Sequence, residues 1–270
     1  MREEVLNKYE GLKEYLRKQG SVAVAFSGGV DSAFLMYVSK EALGSKTAAV
    51  TAKIHSVPER ELKEAKEFCL KYDIRQIILE ADELKIEGFK NNPKDRCYIC
   101  KRFLFSNMLK ASKEAGYNEV VEGSNLDDEG DYRPGLRAIE ELKIKSPLRE
   151  CGFTKSDIRE ASRELGLPTW DKPSYACLAS RFVYGEEITH EKLKMVERAE
   201  DFIRDLGFKQ VRVRLHKDMA RIEVLREDIE RLTKEETRSR ITKELKNAGF
   251  MYVTADLSGY RTGSMNEAVF

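Results

Sequence analysis

Histidine is scarce in this chain. Three occur in 270 residues, His55, His190 and His216, and none has a paired spacing, so a histidine-built zinc site has little to draw on. A surplus of either charge is also missing: 48 basic residues stand against 47 acidic ones, a net charge of +1. That balance makes no demand for nucleic acid or an anionic membrane. No run approaches the roughly 18 consecutive apolar residues of a membrane span. The first residues, Met1-Arg2-Glu3-Glu4, are charged and no apolar core follows them, so no secretory leader is expected and a cytoplasmic location is. Two common phosphate loops are absent, since neither Gly-x-x-x-x-Gly-Lys-Ser/Thr nor Gly-x-Gly-x-x-Gly occurs. What remains is 41% hydrophobic and 35% charged, the make-up of a soluble globular chain long enough for one large or two modest domains. Its five cysteines then read as free thiols, a metal site or redox chemistry rather than a disulfide framework.

The stretch that organises the rest is Ser27-Gly28-Gly29-Val30-Asp31-Ser32. An apolar, β-branched run, Val22–Phe26, precedes it, and Ala33–Val38 after it reads as a helix. Adjacent glycines permit a tight turn and close approach to a ligand. The free N–H groups and positive end of the helix, with the Ser27 and Ser32 hydroxyls, make an anion site. The hexapeptide resembles the PP-loop of the ATP pyrophosphatases, a superfamily that cuts ATP between its α- and β-phosphates, holds pyrophosphate on the loop and passes AMP to a substrate oxygen. The bland alternative is an ordinary strand-to-helix turn with a capping side chain.

Around it the chain alternates. Val5, Tyr9, Leu12 and Leu16 predict a helix over 2–19 ended by Gly20. Strands are expected at 21–26, 47–51, 75–79 and 119–122, and helices from the loop to Leu43, after Pro58, through Cys100–Ala111, and at 158–165 behind a Thr154/Asp157 cap. Residues 83–97 read as irregular. Such alternation implies an α/β fold, a doubly wound parallel sheet covered on both faces. Ligands bind past the carboxyl ends of such strands, so the loop at 27–32 and the polar loop at 123–134 should meet around one nucleotide, with Gly123, Asn125 and Asp127 framing it. From about residue 186 the rhythm changes to a helix, a hairpin over 211–225, a charged helix over 227–247 and a strand at 252–257. This gives two expected domains, 1–185 and a small α+β domain, 186–270.

Sulfur chemistry is the second theme. Cys97-Tyr98-Ile99-Cys100 is a CxxC, open to a structural, zinc, redox or iron–sulfur reading. Cys177 lies in Ser174-Tyr175-Ala176-Cys177-Leu178-Ala179-Ser180-Arg181-Phe182, where a neighbouring arginine would favour the thiolate; a buried, inert cysteine is the alternative. Cys177 with Ser180-Arg181-Phe182-x-Tyr184-Gly185, the run Asp131–Leu136 and Val211-Arg212-Val213-Arg214-Leu215-His216 together resemble the LarE family, ATP-dependent sulfur transferases that make the nickel-pincer cofactor. The resemblance covers nearly the whole chain.

It implies adenylation of a carboxylate of pyridinium bis-carboxylic acid mononucleotide, with Mg²⁺ shared between ATP phosphates and Asp31, followed by displacement of AMP by sulfur. It assigns sulfur delivery to Cys177, which becomes dehydroalanine in sacrificial members. Where Cys97 and Cys100 accompany it, three thiolates on a 4Fe–4S cluster would leave one iron open for an exogenous hydrosulfide. Cys69, on an apolar helix face, and Cys151, in a loop, are left out. The resemblance further implies that Ser180, Arg181, Arg212 and Arg214 bind the substrate phosphate, that Glu200 and Glu223 form an acidic pair near the sulfur as a metal site or proton acceptor, and that the chain forms homo-oligomers. On residues alone Arg212 and Arg214 share one strand face, fit either to grip a phosphate or to meet cross-strand partners. Competing readings are a tRNA thiolation enzyme, an amidotransferase-type ligase of the NAD or GMP synthetase kind, and a non-catalytic adenine-nucleotide sensor. The near-zero charge disfavours the first, and Cys177 is unexplained by the second.

Overall fold

The computed structural model describes residues 1–128, 134–173 and 176–265. Part of the polar loop after residue 128, part of the Asp131–Leu136 run, and Ser174 and Tyr175 of the cysteine motif lie outside them. The chain divides into two compact units, one of residues 1–86 and 95–175 and one of residues 87–94 and 176–270.

The first unit runs α1 (Glu3–Gln19), β1 (Val22–Ala25), α2 (Val30–Leu43), β2 (Thr47–Lys53), α3 (Glu59–Lys71), β3 (Arg75–Glu80), α4 (Arg96–Glu114), β4 (Glu119–Val121), α5 (Pro134–Glu141), α6 (Pro147–Glu150) and α7 (Lys155–Glu164). Its four strands are parallel in the order β3-β2-β1-β4. Alternate side chains of a strand point to opposite faces, and β1 shows both faces buried. Val22 and Val24 pack with α1, α2, α3 and α7 through Leu12, Phe34, Phe68 and Ile158. Ala23 joins Val50, Phe105, Met108 and Ile139 on the other side, where α4 and α5 lie. The sheet is therefore wrapped by helices on both faces, the α/β arrangement expected. The β1 strand has β2 on one side and β4 on the other, so the chain changes direction across the sheet at β1, which is where a ligand cleft opens. Helix α7 begins one turn before 158: Thr154 accepts from Asp157 N–H at 3.2 Å, and Asp157 Oδ2 accepts from Thr154 N–H at 3.2 Å, a reciprocal cap. Helices α5 and α6 carry no long apolar period and were not readable as elements.

The second unit contains α8 (His190–Asp205), β5 (Val211–His216), β6 (Met219–Val224), α9 (Ile229–Thr233), α10 (Glu235–Ala248) and β7 (Tyr252–Ala255). The β5–β6 hairpin is antiparallel and β7 adds parallel to β6. The charged stretch expected as one helix is two. Thr233 Oγ1 bonds back to Ile229 O and Glu230 O, and Lys234 turns out of helical geometry at ψ 140°. The division between units precedes residue 186, and 87–94 belongs with the later chain. The reason is local bonding: Asn92 Nδ2 donates to Val183 O at 2.6 Å, Gly185 N–H to Asn92 O at 2.9 Å and Ile188 N–H to Lys90 O at 2.8 Å. None of the helices among the described residues is long and apolar enough to cross a membrane.

This unit is built around buried charge. Glu200, with no exposed surface, accepts on Oε1 from Arg181 Nε at 2.8 Å and Val213 N–H at 3.0 Å, and on Oε2 from Arg181 Nη2 at 2.9 Å and Arg204 Nη2 at 2.7 Å. Helix α8, strand β5 and the 178–181 turn are thereby pinned to one carboxylate. Burial pulls the Glu200 carboxyl upward, but Arg181, then Arg204 and Arg212, outweigh it and hold it at about 2, against an ordinary 4.5. A depressed carboxylate contributes stability that is complete above the ordinary value and is lost as pH falls towards the folded one. Glu200→Gln should therefore be less stable than the parent by about 3–5 kcal/mol at neutral pH. The gap should close as pH falls from about 4.5 to about 2. Unfolding of both proteins across a pH series checks this; a gap that stays constant through that window would contradict it.

Candidate active site

At the carboxyl end of β1 and β4 the first unit opens a cleft of about 560 Å³. Ser27, Gly29, Asp31 and Ser32 line one side of it, and Gly123, Asn125 and Asp127 another. Gly28 sits behind, at φ +73°, where a Cβ would lie 3.3 Å from Ala65 Cβ of α3; the left-handed turn and the close helix both call for glycine. Ser32 Oγ bonds Gly29 O at 3.2 Å and lies 3.1 Å from Ser27 Oγ, so the two hydroxyls converge at the start of α2. At Gly123 a Cβ would lie 3.1 Å from Ser32 N and 3.3 Å from Asp31 Cβ. The chain leaving β4 thus crosses the helix start in contact with it. Beyond it, Asn125 Oδ1 accepts from Asp127 N–H at 2.9 Å and Asp128 Oδ2 from Asn125 N–H at 3.0 Å, a self-bonded polar turn.

Asp31 is the electrostatic centre. Its Oδ2 accepts from Lys155 Nζ at 2.5 Å, while Oδ1 is buried with no hydrogen-bond partner among the described residues. Burial raises the Asp31 carboxyl, opposed by Lys155. An unpartnered buried carboxylate oxygen at the N-terminus of a helix after a glycine turn has the chemistry to share a divalent cation with phosphate. Two lysines at this site escaped the sequence reading. Lys155 also donates its main-chain N–H to Asp127 Oδ2 at 2.8 Å. The readable signal was a basic residue in the first turn of α7, the end where the helix dipole disfavours it. Lys172 Nζ donates to Gly28 O at 3.1 Å and pairs with Glu61 and Glu64 of α3, both at 2.7 Å, holding the loop against that helix. Nothing local in the sequence reports that contact.

In the second unit Arg181, Arg212 and Arg214 are all buried. Arg181 Nη1 donates to Ala176 O at 2.7 Å, Cys177 O at 3.2 Å and Ser180 Oγ at 2.9 Å. These contacts fix the main chain at Cys177 rather than the thiol. Arg214 grips Glu223 Oε2 through Nε at 3.0 Å and Nη2 at 2.8 Å, and donates to Ser180 O at 3.2 Å. Arg212 donates to Val211 O at 2.8 Å and stands 5.3 Å from the Tyr260 ring centroid. Burial, then Arg181, lowers the Arg212 guanidinium to about 10, with Glu200 opposing. Glu200 and Glu223 differ from the acidic metal pair expected. The four lone-pair positions of Glu200 are taken by Arg181, Arg204 and Val213. Glu223 is held by Arg214, Arg221 at 3.2 Å and Ser264 at 2.7 Å. Both are ion-pair anchors.

The thiols fall into two groups. Burial pushes Cys69 up to about 12 and Cys151 up to about 11, so both stay protonated and unreactive. Cys97 and Cys100 stand one turn apart at the start of α4, the first exposed and the second half-buried. Cys177, half-buried, belongs to the other unit.

The family described as NAD synthase matches residues 4–108. Over 249 residues the chain is 36% identical to pyridinium-3,5-bisthiocarboxylic acid mononucleotide synthase of Lactiplantibacillus plantarum, covering 92% of this chain and 90% of that one. It is 40% identical over 263 residues to an uncharacterised protein of Synechocystis sp., with 97% and 98% covered. Similarity to the glutamine-hydrolysing GMP synthase of Aeropyrum pernix is 27% over 217 residues, 72% of this chain and 42% of that one. With a PP-loop that has the geometry described and end-to-end similarity of this extent, the chain belongs to the LarE family of ATP-dependent sulfur transferases.

Proposed function

We propose that this enzyme uses ATP to convert a carboxylate of pyridinium bis-carboxylic acid mononucleotide to a thiocarboxylate. The observation that carries the reading is the cleft: a PP-loop with converging hydroxyls, and beside it a buried Asp31 oxygen awaiting a ligand. ATP occupies it with the β- and γ-phosphates on Ser27–Ser32. Asp31 would hold Mg²⁺, which would neutralise charge on the departing pyrophosphate. A substrate carboxylate oxygen attacks the α-phosphorus, a new O–P bond forms, and the α–β bridge breaks with its electron pair leaving on pyrophosphate. The loop N–H donors stabilise that charge. A sulfur nucleophile then attacks the acyl carbon, and AMP leaves.

Two sulfur routes follow from the cysteines. With Cys177 as donor, its thiolate forms the C–S bond to the acyl group; loss of its Cα proton then breaks the Cβ–S bond, leaving a thiocarboxylate and dehydroalanine. With Cys97, Cys100 and Cys177 as ligands, a 4Fe–4S cluster would supply a position for hydrosulfide and spare the cysteines. The exposure of Cys97, the one-turn spacing of Cys100 and the contrast with the two buried thiols support the second route. The buried charge of Arg212, with Arg214, Arg181 and Ser180 around it, supports a site for the substrate phosphate in the second unit. The enzyme acts as a cytoplasmic homo-oligomer on a small-molecule nucleotide.

The decisive test supplies the dicarboxylate mononucleotide, ATP and Mg²⁺ and follows AMP, pyrophosphate and product mass. Oxygen-to-sulfur exchange in the product is expected; AMP release with no carboxylate acceptor modified would refute the reading. Asp31→Asn should lower AMP formation by about 100-fold or more, as loss of a charge-stabilising group does, measured at saturating ATP. Cys97→Ala protein purified without oxygen should lose its iron and acid-labile sulfide and be limited to a single turnover. Iron content and repeated turnover equal to the parent would refute Cys97 as a cluster ligand.

A further inference from the structure

Glu83 has no exposed surface, although it opens a short 3₁₀ turn, Glu83–Lys85, just after β3. Among the described residues its oxygens accept from main-chain donors. Oε1 accepts from Ser56 N–H at 2.6 Å and Oε2 from His55 N–H at 3.1 Å. The recipient segment is the tight turn after β2, closed by Val57 N–H to Ile54 O at 3.1 Å. Ile54 and Val57 of that turn line the cleft, facing a set of apolar side chains that includes Leu104, Phe105 and Met108 of α4. The cleft thus has a polar phosphate end and an apolar slot, and one wall of the slot stands on a buried carboxylate.

A fully buried carboxylate is a costly acceptor for two main-chain N–H groups, which a carbonyl or a water could satisfy. What it provides instead is rigidity, since two charge-assisted bonds to consecutive N–H groups leave the turn little freedom. The Asp82 carboxylate accepts from Leu84 N–H at 3.1 Å and sets the turn from which Glu83 projects.

We propose that Glu83 is a positioning residue that fixes the nucleobase wall of the cleft and so sets affinity for, and choice of, the base of the nucleoside triphosphate. This rests on the reading of the cleft as the ATP site. Replacing it by glutamine points an amide N–H₂ at one of two N–H donors, and the turn should relax away from the slot while the phosphate loop stays in place. The test is calorimetric titration of parent, Glu83→Gln and Glu83→Asp with ATP, GTP and inorganic pyrophosphate, each with Mg²⁺. ATP affinity should fall about tenfold in Glu83→Gln, the preference for ATP over GTP should narrow, and pyrophosphate affinity should hold. Glu83→Asp, which keeps the charge but shortens the reach, should show the same pattern more weakly and replaces the glutamine protein if that does not fold. Unchanged ATP affinity, or equal loss of ATP and pyrophosphate, would overturn the proposal. Failure of the parent itself to bind ATP would overturn the reading of the cleft and the proposal with it.

Discussion

The contact on which the rest of the first unit depends is between Gly123 and the first residues of α2. β4 lies beside β1 with Val121 opposite Val24, so the two chains leave the sheet side by side. One becomes a helix start and the other a polar turn, packed so closely that a Cβ at Gly123 would lie 3.1 Å from Ser32 N. That approach brings Asn125 and Asp127 to the mouth of the Ser27–Ser32 loop at the N-terminus of α2. Without it, the strand order would still form a sheet, but the two loops would not bound one cavity. Phosphate binding here is a product of strand adjacency as much as of the hexapeptide.

The two units treat buried charge in opposite ways. In the second, Glu200 commits each lone-pair position to Arg181, Arg204 or Val213, and a saturated carboxylate is a structural part. In the first, Asp31 keeps one buried oxygen without a partner among the described residues, and its carboxyl is raised by burial. The half-satisfied carboxylate is the one to which the proposed ATP site assigns Mg²⁺.

What could be read from the sequence was what is local. The strand–loop–helix of the PP-loop, the α1 stripe of Val5, Tyr9, Leu12 and Leu16 and the Thr154–Asp157 cap are each encoded within one or two turns of chain, and each stands in the structure. What could not be read is what distant residues do to one another. Glu200 and Glu223 look like free acids until Arg181 and Arg214 fold onto them. Lys172 touches Gly28 across most of the first unit's sequence. The segment 87–94 belongs to the second unit through bonds from Asn92 and Lys90 that leave no trace in composition. Helices α5 and α6, of eight and four residues, are too short for a long apolar period to show.

Arg181 sits in the structure differently from what its place beside Cys177 in the sequence suggests. Its charge suggested a thiolate at Cys177, yet the guanidinium is turned onto the carbonyls of Ala176 and Cys177 and neutralised by Glu200. The main chain at Cys177 is clamped on the acceptor side by an arginine that is itself clamped by a glutamate. That matters for either sulfur route. A cysteine that must attack an acyl carbon and then lose its Cα proton needs its backbone held while its side chain changes bonding. A cysteine that must hold an iron needs the same fixity in a segment without regular structure. The ion pair that stabilises the second unit is therefore also the one that holds the main chain at Cys177, the residue proposed to carry the sulfur.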